Sequence, residues 1–298
     1  MIPAELEPLV YAPSGLDDLP HESAFRTKPG FTAGDGAHAT TPGDLAVIYN
    51  ITPLYQKGIN GAGQKIVVAG ESAFNVQDIR DFRDSAGLPA SDPKVILTPG
   101  SKDPGYSDSI GEAVLDLEYA GAAAPNAAIL YVYGTDVFLA TEYAIDQNLA
   151  PVISFSFAAC EKKAQNNWTW IRNLAQQGAA QGITWVACTG DTGAAGCEYQ
   201  LRDSVGVNGV SAKLPGTVPE VTAVGGTTFA EGTGKYWSSA TQDHGISALS
   251  YIPVHANSWY EVWAGAVQHA YAGGPIASAT TNFNFYISNM VATPVVIF

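Results

Sequence analysis

The sequence predicts an α/β fold built on a mostly parallel sheet with helices on both faces. Two observations predict it. Apolar runs of strand length alternate with amphipathic stretches of helix length, as they do where helical crossovers join parallel strands. The chain has 298 residues, 46% of them hydrophobic, enough to bury one large core.

Taken in order, residues 1 to about 40 mix proline, glycine and scattered charge without a sustained period, and read as a linker or extended arm. The ordered domain is expected to begin near Thr41. The strand candidates are Lys65–Gly70, Lys94–Thr98, Ala128–Tyr133, Pro151–Ser156, Ile183–Cys188 and Val218–Val224. Helices are expected near Asn75–Ala86, Ile110–Ala122, Val137–Gln147 and Ala164–Gln181. Sheets of this kind hold their ligands beyond the carboxyl ends of the strands, which draws attention to the polar residues just after Ser156 and Cys188. From Val262 to Phe298 there is no Asp, Glu, Lys or Arg, yet Gly273, Gly274, Pro275 and Pro294 interrupt the stretch. It reads as buried or misfit sequence, and no window reaches the roughly 18 uninterrupted apolar residues of a membrane span. Met1 to Gly30 has no basic stretch followed by an apolar run, so no signal peptide is expected in this chain.

Composition removes several functions. With 28 Asp and Glu against 14 Lys and Arg, the formal charge of -14 repels nucleic acid and anionic membranes. Gly61-Ala62-Gly63 precedes a strand, whereas a dinucleotide fingerprint follows one. The histidines His21, His38, His244, His255 and His269 form no zinc-protease pattern, and none sits in glycine-rich sequence suited to a catalytic triad. Gly225-Gly226 reads as a turn. Three cysteines allow one bridge at most. Cys160 and Cys197 follow neighbouring strands at the same end and could form it in an oxidising compartment, which leaves Cys188 as a buried thiol.

What remains is a set of carboxyl groups. Glu112 and Asp116 stand four residues apart in a predicted helix, on one face about a turn from each other. Two carboxylates that close cannot both ionise freely, so one retains a proton and the pair supplies a general base without histidine. The same spacing suits a solvated acidic face at a helix start, and spacing leaves both readings open. Asp191, between Gly190 and Gly193 at the carboxyl end of a strand, could as a protonated carboxyl donate to a developing oxyanion. An Asx-turn capping the next helix is the competing reading.

An ordered series of motifs then carries a resemblance. Thr41-Pro42-Gly43-Asp44-Leu45, Ile48-Tyr49-Asn50-Ile51, Gly61-Ala62-Gly63-Gln64, Glu112-Ala113-Val114-Leu115-Asp116-Leu117-Glu118 and Ala124-Pro125-Asn126-Ala127 are followed by Pro151-Val152-Ile153-Ser154, Thr189-Gly190-Asp191-Thr192-Gly193 and Val218-Pro219-Glu220-Val221-Thr222-Ala223-Val224-Gly225-Gly226-Thr227. Together they resemble the sedolisins, serine-carboxyl peptidases that act in acid on a subtilisin-like fold. The resemblance runs to about Tyr251-Ile252-Pro253 and implies Glu112 as base, Asp116 as the acid supporting it, and Asp191 as oxyanion donor, facing the pair across a cleft at the carboxyl-end rim of the sheet. It implies a monomeric extracellular endopeptidase acting on a peptide or protein substrate. Residues 1–40 correspond to the end of a prosegment and activation linker, 41–261 to an incomplete peptidase domain, and 262–298 to a divergent apolar tail.

Two departures accompany it. The Gly-Thr-Ser-x-x-x-Pro string of the family's nucleophile is absent; Gly273-Gly274-Pro275-Ile276-Ala277-Ser278 makes Ser278 a poor substitute, and the nucleophile is unassigned. The family's calcium is bound after that serine, and calcium takes about six to eight oxygen ligands including carboxylates. No Asp or Glu follows Glu261, so no cofactor or metal is expected in this chain. The expectation is a peptidase inactive as written, or a non-catalytic remnant that binds peptides or partners through the same cleft.

Overall fold

The computed structural model describes residues 22–23, 40–190, 195–198, 208–209, 211–225, 227–229, 233–238 and 243–256. Its elements are β1 (Glu22–Ser23), α1 (Pro42–Ile48), α2 (Thr52–Gln56), β2 (Lys65–Gly70), α3 (Val76–Ser85), β3 (Lys94–Leu97), α4 (Ile110–Ala123), β4 (Ala128–Tyr133), α5 (Val137–Asp146), β5 (Val152–Phe155), β6 (Phe157–Cys160), α6 (Gln165–Ala180), β7 (Thr184–Cys188), β8 (Lys213–Leu214), β9 (Thr222–Val224), β10 (Thr227–Phe229) and β11 (Val254–Ala256). Six strands form one sheet in the order β3-β4-β2-β5-β7-β9, with every neighbouring pair parallel. This is the subtilisin-like α/β arrangement, and all six strands coincide with strand candidates.

The central strand β2 shows why the pattern was legible. Val67 and Ala69 pack into one buried cluster with Leu130, Val132, Phe138, Ile145 and Ile171, on the side of α5 and α6. Val68 packs into the other with Ile79, Ala113, Leu117, Ile129 and Tyr131, on the side of α3 and α4. Successive residues point to opposite faces, and both faces are covered, so the strand reads as a continuous apolar run.

Boundaries moved where turn chemistry intervened. The strand expected over Val218–Val224 begins only at Thr222; before it, the amides of Val218 and Val221 bond in turns to the carbonyls of Pro215 and Val218. Pro219 has no amide to give a ladder. The strand expected over Pro151–Ser156 is Val152–Phe155, and Ser156 is the single residue between it and β6. A smaller antiparallel sheet follows in the order β1-β6-β8, which places Glu22 and Ser23 opposite Ala158 and Phe157. Gly61 and Gly63, both at positive φ, belong to the turn that feeds β2.

Helix α1 opens with a capping box. The Asp44 amide donates to Thr41 Oγ1, and Asp44 Oδ2 accepts from the Thr41 amide at 2.9 Å. Such a box satisfies amides that a helix start otherwise leaves without partners. The other oxygen of Asp44 accepts from the amides of Ser247 and Ala248, both at 2.7 Å, and the side chain is fully buried. Asp44→Ala strands these amides, and we expect a loss of about 3 kcal/mol, read as a lower urea midpoint with an unchanged slope. Asp44→Asn, which keeps one acceptor oxygen, should lose less.

Candidate active site

The two carboxyl groups singled out from spacing lie on the first half of α4. The helix start is pinned to the carboxyl end of β2: the Ser107 amide donates to Ser72 Oγ at 3.0 Å and the Ser107 hydroxyl to the Glu71 carbonyl at 2.9 Å. From there α4 buries a band two residues wide, in which Ala113, Leu117 and Ala120 meet the sheet and Glu112 and Asp116 form the adjoining edge. Glu112 is only 3% exposed and Asp116 only 4%. A solvated acidic face is thereby ruled out, because both side chains are buried.

Asp116 Oδ1 accepts a hydrogen bond from Ser156 Oγ at 2.8 Å. This ties α4 to the residue immediately after β5, at the carboxyl end of the sheet. Burial and then the like charge of Glu112 hold Asp116 well above the usual carboxylate range, while the Ser156 hydroxyl pulls less strongly the other way. Glu112 also acts on Asp116 as a hydrogen-bonding neighbour that raises it further, and Asp116 Oδ2 is buried with no formed hydrogen bond among the described residues. Tyr131, in the same buried layer, donates to the Ser72 carbonyl at 2.7 Å.

Asp191 lies outside the described residues, as do Gly193 and Ser278, so the geometry brings together two of the three acids. The strand that leads to Asp191 is β7, and its end is crowded. Gly190 has φ +80°, and a Cβ there would sit 2.5 Å from Cδ of the buried Lys213 on β8. A close approach does require glycine, and what approaches is a lysine stem. Cys160 at the end of β6 and Cys197 form a disulfide with their Cα atoms 4.7 Å apart, within the usual span of such bridges. Cys188 was expected to be buried and is only half-buried. Along β7, Trp185 and Ala187 face the core, whereas Thr184, Val186 and Cys188 take the less covered face.

Sequence reasoning stopped one residue short of Ser156, which it placed inside the strand. Ser72, Tyr131 and Lys213 were not singled out. Nothing local marks them, since each matters through a neighbour far along the chain. Among the described residues no group of three or more His, Cys, Asp or Glu is arranged to hold a metal. The stretch after Glu261, on which the calcium expectation falls, lies outside them. No helix among the described residues is long and apolar enough to cross a membrane.

Chemically, a buried acid that retains its proton beside a second acid can support that neighbour as a general base. No profile of a known protein family matches the sequence. Three curated proteins do. The chain is similar to xanthomonalisin of Xanthomonas sp. (strain T-22), 27% identical over 89% of this chain and 36% of that protein. It is 26% identical to sedolisin of Pseudomonas sp. (strain 101) over 83% of this chain and 45% of that protein. Kumamolisin of Bacillus sp. (strain MN-32) is 29% identical over 78% of this chain and 44% of that protein. With all three matches under 30% identical, the chain is similar to the sedolisin-family peptidases. It spans less than half the length of these sedolisin-family relatives. The solved structure of Pseudomonas sedolisin, a serine-carboxyl proteinase complexed with two molecules of pseudo-iodotyrostatin, superposes with a TM-score of 0.56 at 21% identity. That superposition covers 72% of this chain and 62% of that one, and at this identity it speaks for the fold.

The acidic character of α4 extends past the pair. Half-buried Glu118 is raised to about 7 by burial and by Asp78. An acid raised in the folded state contributes stability that is fully present below its ordinary value and lost as pH rises through the folded one. The melting temperature should therefore fall between about pH 4.5 and about pH 7, and Glu118→Gln should flatten that fall in a calorimetric series.

Proposed function

We propose that the chain carries the acidic part of a serine-carboxyl peptidase site that works on peptide bonds in acid. The observation that supports this best is the burial of Glu112 and Asp116 side by side on α4, with Asp116 tied to the carboxyl end of the sheet through Ser156. In this reading Glu112 takes the proton of an attacking hydroxyl, and Asp116 supports it from the buried side. Asp191 donates to the oxyanion that forms at the substrate carbonyl, a role taken from the family resemblance. The substrate is a peptide or protein met outside the cell, an environment that suits the acidic composition and the disulfide.

The nucleophile is the member these 298 residues do not supply, since no Gly-Thr-Ser string occurs in them. Nor does any carboxylate follow Glu261 to ligate calcium. Positioned acids without a nucleophile retain only a remnant of the rate enhancement, so the chain as written is catalytically incomplete. A second reading, a module that binds an extended peptide without cleaving it, draws support from β1: the edge of β6 beside Ser156 takes Glu22 and Ser23 as an antiparallel strand.

The deciding experiment assays the 298-residue chain on a fluorogenic peptide from about pH 3 to about pH 7, beside Glu112→Ala and Ser278→Ala. We expect no turnover above background. Turnover in acid that is lost in both variants would make Ser278 the nucleophile and overturn the incompleteness. Saturable binding of the peptide without turnover favours the binding module.

A further inference from the structure

The geometry points to Ser156 as a positioning residue for the acidic pair: by donating to Oδ1 of Asp116 it reserves Oδ2 for the proton that Asp116 holds toward Glu112. The inference rests on the reading of Glu112 and Asp116 as an acid–base pair, and adds the residue that orients it.

A protonated carboxyl group has one O–H donor and one oxygen that acts mainly as acceptor. Which oxygen takes which role depends on the neighbours. Ser156 Oγ lies 2.8 Å from Oδ1 and its hydroxyl donates there, so Oδ1 is committed as acceptor. Oδ2 is buried and has no hydrogen-bond partner among the described residues. A proton on Oδ2 converts that orphan acceptor into a donor, and Glu112, one turn earlier on the same helix, is the neighbour through which Asp116 feels both a like charge and a hydrogen-bonding partner. Among the described residues, the groups that face Asp116 are Glu112 from α4, Ser156 from the β5–β6 junction and Tyr131 from β4. Tyr131 supplies Oδ2 with no donor, because its one O–H is given to the Ser72 carbonyl.

Ser156 is suited to the task because both of its sides are anchored. Before it, β5 pairs with β2 and β7; after it, β6 pairs with β1 and β8. A hydroxyl at such a junction moves little, and precision of this kind comes from rigid supporting elements. The balance of influences fits a positioning role. The Ser156 bond favours the charged form of Asp116, but less than burial and Glu112 disfavour it. The serine therefore sets where the proton sits, while the burial sets that there is one.

The test follows the Asp116 carboxyl carbon by NMR through a pH titration of the full chain, so that it needs no turnover. Asp116→Asn identifies the resonance. In Ser156→Ala the Asp116 midpoint should move up by about half a pH unit or more, with the amide spectrum unchanged, and Ser156→Thr should restore it. An unmoved midpoint in a folded Ser156→Ala protein overturns the proposal. Should the alanine variant not fold, Ser156→Cys, a near-isosteric weak donor, carries the same reading: a raised midpoint supports the role and an unchanged one ends it. Failure of the underlying reading looks different. If Asp116→Asn leaves the Glu112 titration where it was, the two acids are not coupled, whatever Ser156 does.

Discussion

A carboxyl group taken out of water must find donors or keep its proton, and α4 presents this problem twice within one turn. The fold meets it unevenly. Among the described residues the sheet offers Asp116 one hydroxyl, that of Ser156 at the carboxyl end of β5, with Tyr131 of β4 in its neighbourhood. The position of α4 follows from the same contacts, since its start is bonded to Glu71 and Ser72 as they leave β2. Any shift of the helix along the sheet would break the Ser156 bond and the Ser107 bonds together.

Asp44 shows the alternative solution within the same molecule. It is buried as deeply, yet every direction around its two oxygens offers an amide or hydroxyl. Donors of that kind belong to structure. A buried acid short of donors, beside a second acid and near the carboxyl ends of parallel strands, is what a proton-transfer site requires. The difference between the two aspartates lies wholly in their neighbours.

That difference is also why the sequence was informative about the fold and less so about the site. The inner strands β2, β4 and β5 were legible because burial on both faces writes itself as runs such as Ile66–Ala69 and Ile129–Val132, whereas the edge strand β3 is apolar in sequence yet largely exposed. Strands β8, β10 and β11, of two or three residues, are too short to show a period, and their pairing is fixed by tertiary contacts. Helix α1 did carry a signal, Thr41 followed by Pro42 and then Asp44, a capping pattern with proline in the first turn. The spacing of Glu112 and Asp116 was visible, but not their burial, because Glu118 on the same helix is just as acidic and stays partly in water. Ser156 could not be joined to Asp116 from sequence, since 40 residues separate them and only the sheet brings them together.

The tether from Asp44 to Ser247 spans 203 positions of chain. Closing a loop of that length costs more entropy than any local contact, and the cost falls due before the bonds that offset it can form. Bonds between residues so far apart in sequence are expected to form late in folding and to break early in unfolding. In that case strengthening them would chiefly lengthen the life of the native state and hardly change how fast it is reached.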